Sequence, residues 1–293
     1  KLQSDLPNMV AYKNQLFNSI PLKGGGRARI GLPRALNIYE MLPFWAELFC
    51  SLGCDIVLSK VSSRNIYMKG QNTIPSDTVC YPAKLVHGHI IDLLEKDLDA
   101  IFYPCMSYTF DEGISDNCYN CPIVAYYPEL IQANIPDIEK THFLYPHLGI
   151  ENHKLLAERM YEEFKNIIPK LSKKEMEKAV ENAFKSYYEY REAVRQEGSR
   201  VLKFAEENNY PVIILASRPY HIDPEINHGL DKLLNSLQFI VVTEDALYPV
   251  EGKLTIKILN QWGFHARMYN AAKYVSQHKN MELVHLVSFG CGI

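Results

Sequence analysis

Seven cysteines are the residues of this chain best suited to do chemistry. Cys80 sits in "VCYPAKLVHGH", one residue ahead of Tyr81-Pro82 and a run of helical character. Proline is at home in the first turn of a helix, where its missing N–H costs nothing. Cys80 is therefore expected near a helix N-terminus, where unpaired N–H groups favour negative charge, a thiolate included. Cys105 follows "LDAIFYP", Cys118 and Cys121 form "CYNC" in a loop, and Cys291 closes "MELVHLVSFG". These five all fall at loops or element ends. Thiols offered from separate loops suit a soft metal or an iron–sulfur cluster. Structural zinc usually draws on two close pairs, and this chain has a single CxxC. Cys50 lies inside a helical run and Cys54 starts a strand, so both are assigned to the core.

A second dense stretch is "SRPYHIDPEINHG", Ser217 to Gly229. Arg218 is suited to a phosphate or a carboxylate. His221 is suited to proton transfer or metal ligation. Asp223 and Glu225 fit the cap and first turn of the helix that follows. "HGH" (His87 to His89) lies on a helix, where residues two apart do not share a face, so no two-histidine metal site is expected there.

These residues need elements to position them. "RARIGL", "CDIVLS" and "LDAIFYP" read as strands, with helices over Asn37 to Gly53 and Pro82 to Lys96 between them. "CPIVAYYPELIQAN" reads as a short buried segment and a helix. After Pro211 the alternation returns: strands "PVIILAS", "FIVVTED" and "MELVHLVSFG", with helices over Glu225 to Leu237 and Asn260 to Gln277. Alternating strands and helices imply parallel pairing. The expected fold is α/β, two Rossmann-like or flavodoxin-like lobes with parallel sheets joined by a helical segment. The lobes are placed at 27–149 and 210–293, with a helical connector over 150–209 and a lead-in over 1–26. The connector opens on the capping box "SKKE" (Ser172 to Glu175) and carries apolar residues from Met176 to Val194 at helical spacing. "KGGG" (Lys23 to Gly26) precedes a strand instead of following one, so it reads as a flexible linker and not a phosphate loop. Ligands of open α/β sheets gather beyond the carboxyl ends of the strands.

The bulk numbers narrow the class. A hydrophobic fraction of 47% and a charged fraction of 22% are those of an ordinary soluble protein. A net charge of -3 gives no reason to expect nucleic acid or an anionic membrane as partner. No apolar run approaches the ~20 residues of a membrane span, and no signal peptide is evident. An odd number of cysteines without a secretory signal favours reduced thiols and a cytoplasmic protein. A chain that opens on Lys1 and stops at "SFGCGI" is expected to be a fragment of a longer one.

Six motifs in order, "IGLPRALNIYEMLPFWAELF", "IPSDTVCYPAKLVHGHI", "IFYPC", "YNCPIVAYYPE", "RPYHIDPEINHG" and "SFGCG", resemble the 2-hydroxyacyl-CoA dehydratase activase-related proteins of anaerobic bacteria. The resemblance covers about residues 27 to 293. In that family an ATPase activator is fused to a region like the dehydratases and benzoyl-CoA reductases. It implies a [4Fe-4S] cluster, or a double-cubane cluster, held by Cys80, Cys105, Cys121 and Cys291. It also implies low-potential electrons delivered by an ATP-dependent activator, in cis or in trans. Cys118 stands where the family would have another residue and is an alternative ligand. Arg218 and His221 are the candidate contacts to an acyl-CoA or other small-molecule substrate, and a homodimer is left open. The competing expectation is a zinc-containing or metal-free two-lobe module that binds a small molecule.

Overall fold

The structure is a computed structural model that describes residues 5–248 and 252–289. Two compact units divide the chain, and each is assembled from separate stretches. One comprises Ser19–Thr109 and Asn120–Tyr188; the other comprises Lys1–Asn18, Phe110–Tyr119 and Glu189–Ile293. In chain order the elements are α1 (Met9–Ser19), β1 (Arg29–Leu32), α2 (Ile38–Ser51), β2 (Asp55–Leu58), α3 (Arg64–Gly70), α4 (Tyr81–Leu94), β3 (Ala100–Phe102), α5 (Pro122–Asn134) and β4 (His142–Leu144). Then follow α6 (His153–Phe164), α7 (Lys173–Glu207), β5 (Val212–Ala216), α8 (Pro224–Asn227), α9 (Leu230–Ser236), β6 (Ile240–Thr243), α10 (Gly263–Val275) and β7 (Met281–His285). The expected α/β class with parallel sheets is what the chain adopts.

The first unit holds a four-stranded sheet in the order β2-β1-β3-β4, all neighbours parallel. The second holds a three-stranded parallel sheet in the order β6-β5-β7. Both place the first strand of the unit between its second and third. In such a sheet the chain reverses its direction of winding between the first and third strands, and the loops that follow them diverge to leave a crevice. In the four-stranded unit that crevice lies at the ends of β1 and β3, and in the three-stranded unit at the ends of β5 and β7.

Each core follows from the sequence pattern. The strand "VIILA" is buried at every position, as parallel strands covered on both faces must be. Helix α2 is buried nearly all round, including Trp45, Phe44 and Phe49. Phe102 from β3 meets Trp45 edge-on at 5.0 Å, and Phe49 meets Phe164 of α6 at 5.0 Å. A helix wrapped by apolar residues has to sit in a core and not over a surface. Its buried Glu40 accepts the Tyr187 hydroxyl at 2.9 Å.

Local chemistry sets the ends of elements. The capping box is formed: Ser172 N–H donates to Glu175 Oε2 at 2.8 Å, and Glu175 N–H to Ser172 Oγ at 3.2 Å. The helix expected over Glu225 to Leu237 is divided into α8 and α9, because His228 and Gly229 are left-handed, with φ of 54° and 76°. The expected short segment and helix from Cys121 are one helix, α5, which carries Pro128 inside it. The glycine stretch is tied down: the N–H groups of Gly24, Gly25 and Gly26 all donate to Asp55 Oδ1, at 3.0, 3.3 and 3.2 Å. Lys23 Nζ reaches the other oxygen of Asp55 at 2.9 Å. The carboxyl of Asp55 is held down to about 2, chiefly by Lys23 and these N–H groups. The glycines thus cradle an internal carboxylate, where a linker was expected.

Candidate functional site

In the four-stranded unit, Cys80 and Cys121 occupy equivalent positions. Cys80 is the N-cap of α4 with φ −62° and ψ 150°; Cys121 is the N-cap of α5 with φ −64° and ψ 153°. Each is followed by Pro in the first turn, and each carbonyl accepts from the helix that follows: Ala83 N–H at 3.0 Å and Ala125 N–H at 2.9 Å. Proline fixes the backbone for helix entry, so it sets the direction in which each thiol leaves the cap. Cys105 lies three residues beyond β3, at the crevice of its sheet. Its N–H donates to Pro146 O at 3.0 Å, and its carbonyl accepts from Leu148 N–H at 3.0 Å. It is fully buried, and burial first, then the Glu129 charge, pushes its thiol up to about 11.

All three thiols act electrostatically on one side chain, Tyr103. Its hydroxyl is pushed well above the usual range, first by burial, then by Tyr127, Cys105, Cys121 and Cys80. Tyr103 is 0% exposed, and its Oη has no hydrogen-bond partner among the described residues. A buried hydroxyl without a partner costs about 1–3 kcal/mol, so this O–H is an unmet donor at the thiol set.

Neighbouring Tyr127 is committed elsewhere. Thr73 Oγ1 donates to Gly70 O at 2.8 Å, so it accepts from His87 Nδ1–H, also at 2.8 Å. His87 Nε2 is then bare and accepts the Tyr127 hydroxyl at 3.0 Å. Burial lowers His87 to about 4, which keeps this neutral tautomer at physiological pH. His89 sits between Ser59 Oγ at 2.9 Å and Ser62 Oγ at 3.0 Å. The two histidines of "HGH" therefore serve separate structural networks, as their spacing implies.

One further ligand set lies in this unit. Cys105 Sγ, a Glu129 carboxylate oxygen and a His147 ring nitrogen fall within 4.8 Å of one another. His147 Nε2 meets Glu129 Oε1 at 2.9 Å, with both side chains about half exposed. Among the described residues this is the one tight set of three ligands, and Cys80 and Cys121 are outside it. With Zn–S bonds of about 2.3 Å, two thiolates on one zinc sit about 4 Å apart. The three thiols do not together form a set within 4.8 Å of one another. A cubane, whose ligands bind different iron atoms, tolerates wider spacing. Thiols are the donor type such a cluster takes, and its potential depends on hydrogen bonds to its sulfurs.

Cys118 belongs to the stretch Phe110–Tyr119 of the other unit, and Cys291 lies outside the described residues. Cys54 is fully buried and raised to about 12, and Cys50 is half-buried and raised to about 11, each chiefly by burial. None of the six described cysteines forms a disulfide.

In the three-stranded unit, Arg218 and His221 occupy the loop after β5. Arg218 N–H donates to His221 Nδ1 at 3.0 Å, which leaves the proton on Nε2 to donate to Ser288 Oγ at 2.8 Å. This bond joins the loops after β5 and β7 across the crevice. Burial first, with the positive Arg218 adding to it, lowers His221 to about 4. The ring is thus a neutral hydrogen-bonding group. Asp223 caps α8, accepting Glu225 N–H at 2.8 Å, as its sequence position implies.

Sequence reasoning missed Tyr103, Tyr127, Glu129 and His147. The first three stand within or beside the quoted motifs, but buried tyrosines look like packing. His147 follows β4, a three-residue strand that no alternation pattern discloses.

Two units with parallel sheets, one of them carrying cysteines at two helix caps and beyond a strand end, define an α/β class of protein. The chain belongs to the family described as CoA enzyme activase uncharacterised domain (DUF2229), whose model matches residues 29–247, about three quarters of its length. No curated protein matches the chain significantly. Among solved structures, a Bacillus subtilis protein named as a "putative phosphosugar isomerase" is similar at 10% identity over 95% of this chain and 82% of that one. The TM-score of 0.24 is too low to carry an argument. Among the described residues, no helix is long and apolar enough to cross a membrane.

Proposed function

We propose that this chain is an iron–sulfur module of the 2-hydroxyacyl-CoA dehydratase system, reduced by an ATP-dependent activator. Cys80, Cys105 and Cys121 hold a [4Fe-4S] or double-cubane cluster, with Cys291 as a fourth ligand and Cys118 as the alternative. The observation that supports this reading is the placing of Cys80 and Cys121 at two helix caps and Cys105 beyond a strand end, all three acting electrostatically on the buried Tyr103 hydroxyl. When bound, the cluster supplies low-potential one-electron chemistry. The chain's own residues set its surroundings. Tyr103 donates to a cluster sulfur, His87 keeps Tyr127 oriented, and the two caps place N–H dipoles behind two thiolates. Arg218 meets the negative group of an acyl-CoA or other small-molecule substrate, and His221 fixes the loop that carries it. The activator is the partner, in cis or in trans.

Anaerobic purification with iron and sulfide analysis tests this. Iron and sulfide in equal amounts are expected, bleached by air. Cys80→Ala, Cys105→Ala and Cys121→Ala should each lose most of the iron, and Cys50→Ala should keep it. Iron loss from Cys50→Ala with none from Cys105→Ala would overturn the assignment.

The Cys105, Glu129 and His147 set favours a second reading, a single zinc ion with three protein ligands and one open position. Under it the protein is colourless, zinc is stoichiometric, and His147→Ala removes the metal while Cys80→Ala does not.

A further inference from the structure

The three-stranded unit carries a cavity that neither the thiols nor the loop of Arg218 uses. It has a volume of about 330 Å³ and lies where α7, the end of α10 and the start of β7 meet. That volume is at the lower end of the roughly 300–1,000 Å³ of small-molecule sites. Met281, the first residue of β7, pairs with Val212, the first of β5, so the cavity lies at the amino ends of the strands. Arg218 and His221 follow the carboxyl end of β5, at the opposite end of the sheet.

One face of a helix forms one side of the cavity. Ser199, Leu202, Lys203 and Glu206 follow the i, i+3, i+4, i+7 spacing along α7. Leu202 and Met281 are half-buried and pack against the apolar core of the unit, which gives the cavity an apolar floor. Tyr274, from the last turn of α10, packs against the same core. Its ring stacks on that of His278, with centroids 4.4 Å apart and planes at 23°. His278 Nδ1–H donates to Tyr274 O at 2.8 Å, so stacking and a hydrogen bond together hold this wall in place.

Two opposite charges border the floor without meeting. Lys203 and Glu206 are three apart on a helix, a spacing that sets their Cβ atoms about 5–6 Å apart. Lys203 Nζ nevertheless pairs with Glu207, at 3.8 Å, and not with Glu206. The side chains of that pair are 75% and 61% exposed, so the contact contributes little and is readily given up. The Glu206 carboxylate has no hydrogen bond or ion pair among the described residues. It acts electrostatically on the Tyr274 hydroxyl, which is raised first by burial and then by this charge.

A lone anion in this cavity would face Glu206, and a lone cation would face Lys203. A ligand carrying both charges avoids either conflict, and an α-amino acid carries them on a single carbon. We propose that the cavity binds a free apolar α-amino acid, with its carboxylate on Lys203, its ammonium on Glu206 and its side chain on Leu202 and Met281. The site lies wholly within the three-stranded unit and does not depend on the thiol reading.

The test uses the whole chain and titration calorimetry with L-leucine, L-methionine and L-phenylalanine. Saturable binding of at least one is expected. For the amino acid that binds, the analogue without its ammonium and the analogue without its carboxylate should each bind about 10-fold more weakly, the worth of one charge-assisted hydrogen bond. Lys203→Met and Glu206→Gln alter exposed side chains, so the fold is kept, and each should weaken binding of the intact amino acid about 10-fold. No saturable heat from any of the three at roughly 10 mM, well above a weak millimolar Kd, overturns the site. So does binding that either variant leaves unchanged, or that a singly charged analogue matches.

Discussion

Tyr103 is the residue where the cluster reading is most exposed to test. Its hydroxyl is buried with no described partner, so Tyr103→Phe removes an unmet donor and should make the protein more stable than the wild type in urea, by about 1–3 kcal/mol. If the hydroxyl serves a cluster sulfur, the same variant lowers the reduction potential in an EPR-monitored titration, because a donor that stabilises the reduced state is lost. An unchanged potential would reduce Tyr103 to packing. Glu244 makes a prediction in pH. Its folded carboxyl is raised to about 7 from an ordinary 4.5, in surroundings that include Asp245, Lys13 and Arg267. A raised carboxyl favours the fold while protonated, so its contribution is full below about 4.5 and fades as pH rises through about 7. Glu244→Gln should therefore lose less stability than the wild type between pH 5 and pH 8 in denaturant titrations. The opposite ordering would mean that Glu244 is held charged. Of these residues, only the cysteines were legible beforehand, because a thiol at an element end has few structural uses. Tyr103 and Glu244 owe their properties to neighbours distant in sequence.

Elements were more legible than residues. The strands flanking Cys54, Cys105 and Arg218 follow from short apolar runs bounded by turns, and α7 follows from its capping box and spacing. Ser172→Ala should cost about 1 kcal/mol in urea by removing that box; no change would show that α7 starts without it. What escaped was set by contacts instead of pattern: α3, the three-residue β4, and α1 within the expected lead-in. Gly88 shows why. A Cβ there would lie 1.8 Å from Ile66 O of α3, and one on Gly70 would lie 2.3 Å from Gly88 N. The glycine of "HGH" lets α3 press against α4, the helix that Cys80 caps. Gly88→Ala should cost about 3 kcal/mol or more, read from the urea midpoint. A small loss would mean that α3 can shift without harm, and with it the frame around Cys80.

For the whole molecule, the parallel α/β class was readable from the alternation of strands and helices, since a parallel pair requires a crossover. The interleaving of the two units was not, because neither Lys1–Asn18 nor Phe110–Tyr119 carries a pattern that states which sheet it joins. Helix α1 settles its allegiance through Met9 in an apolar core that begins at Val194 and through Lys13 on Asp245, partners that lie far along the chain. That separation bears on how the protein is made. On the ribosome every residue of the four-stranded unit emerges before Glu189, so that unit is complete while its companion exists only as one helix and one short loop. At about 5–20 residues per second, α1 waits on the order of ten seconds or more for β5 and β6 to appear. During that interval its apolar face, Met9, Val10 and Phe17, has no core to enter. Efficient production therefore depends on whatever shields a nascent amphipathic helix, and slowing translation after residue 19 lengthens the hazard instead of relieving it.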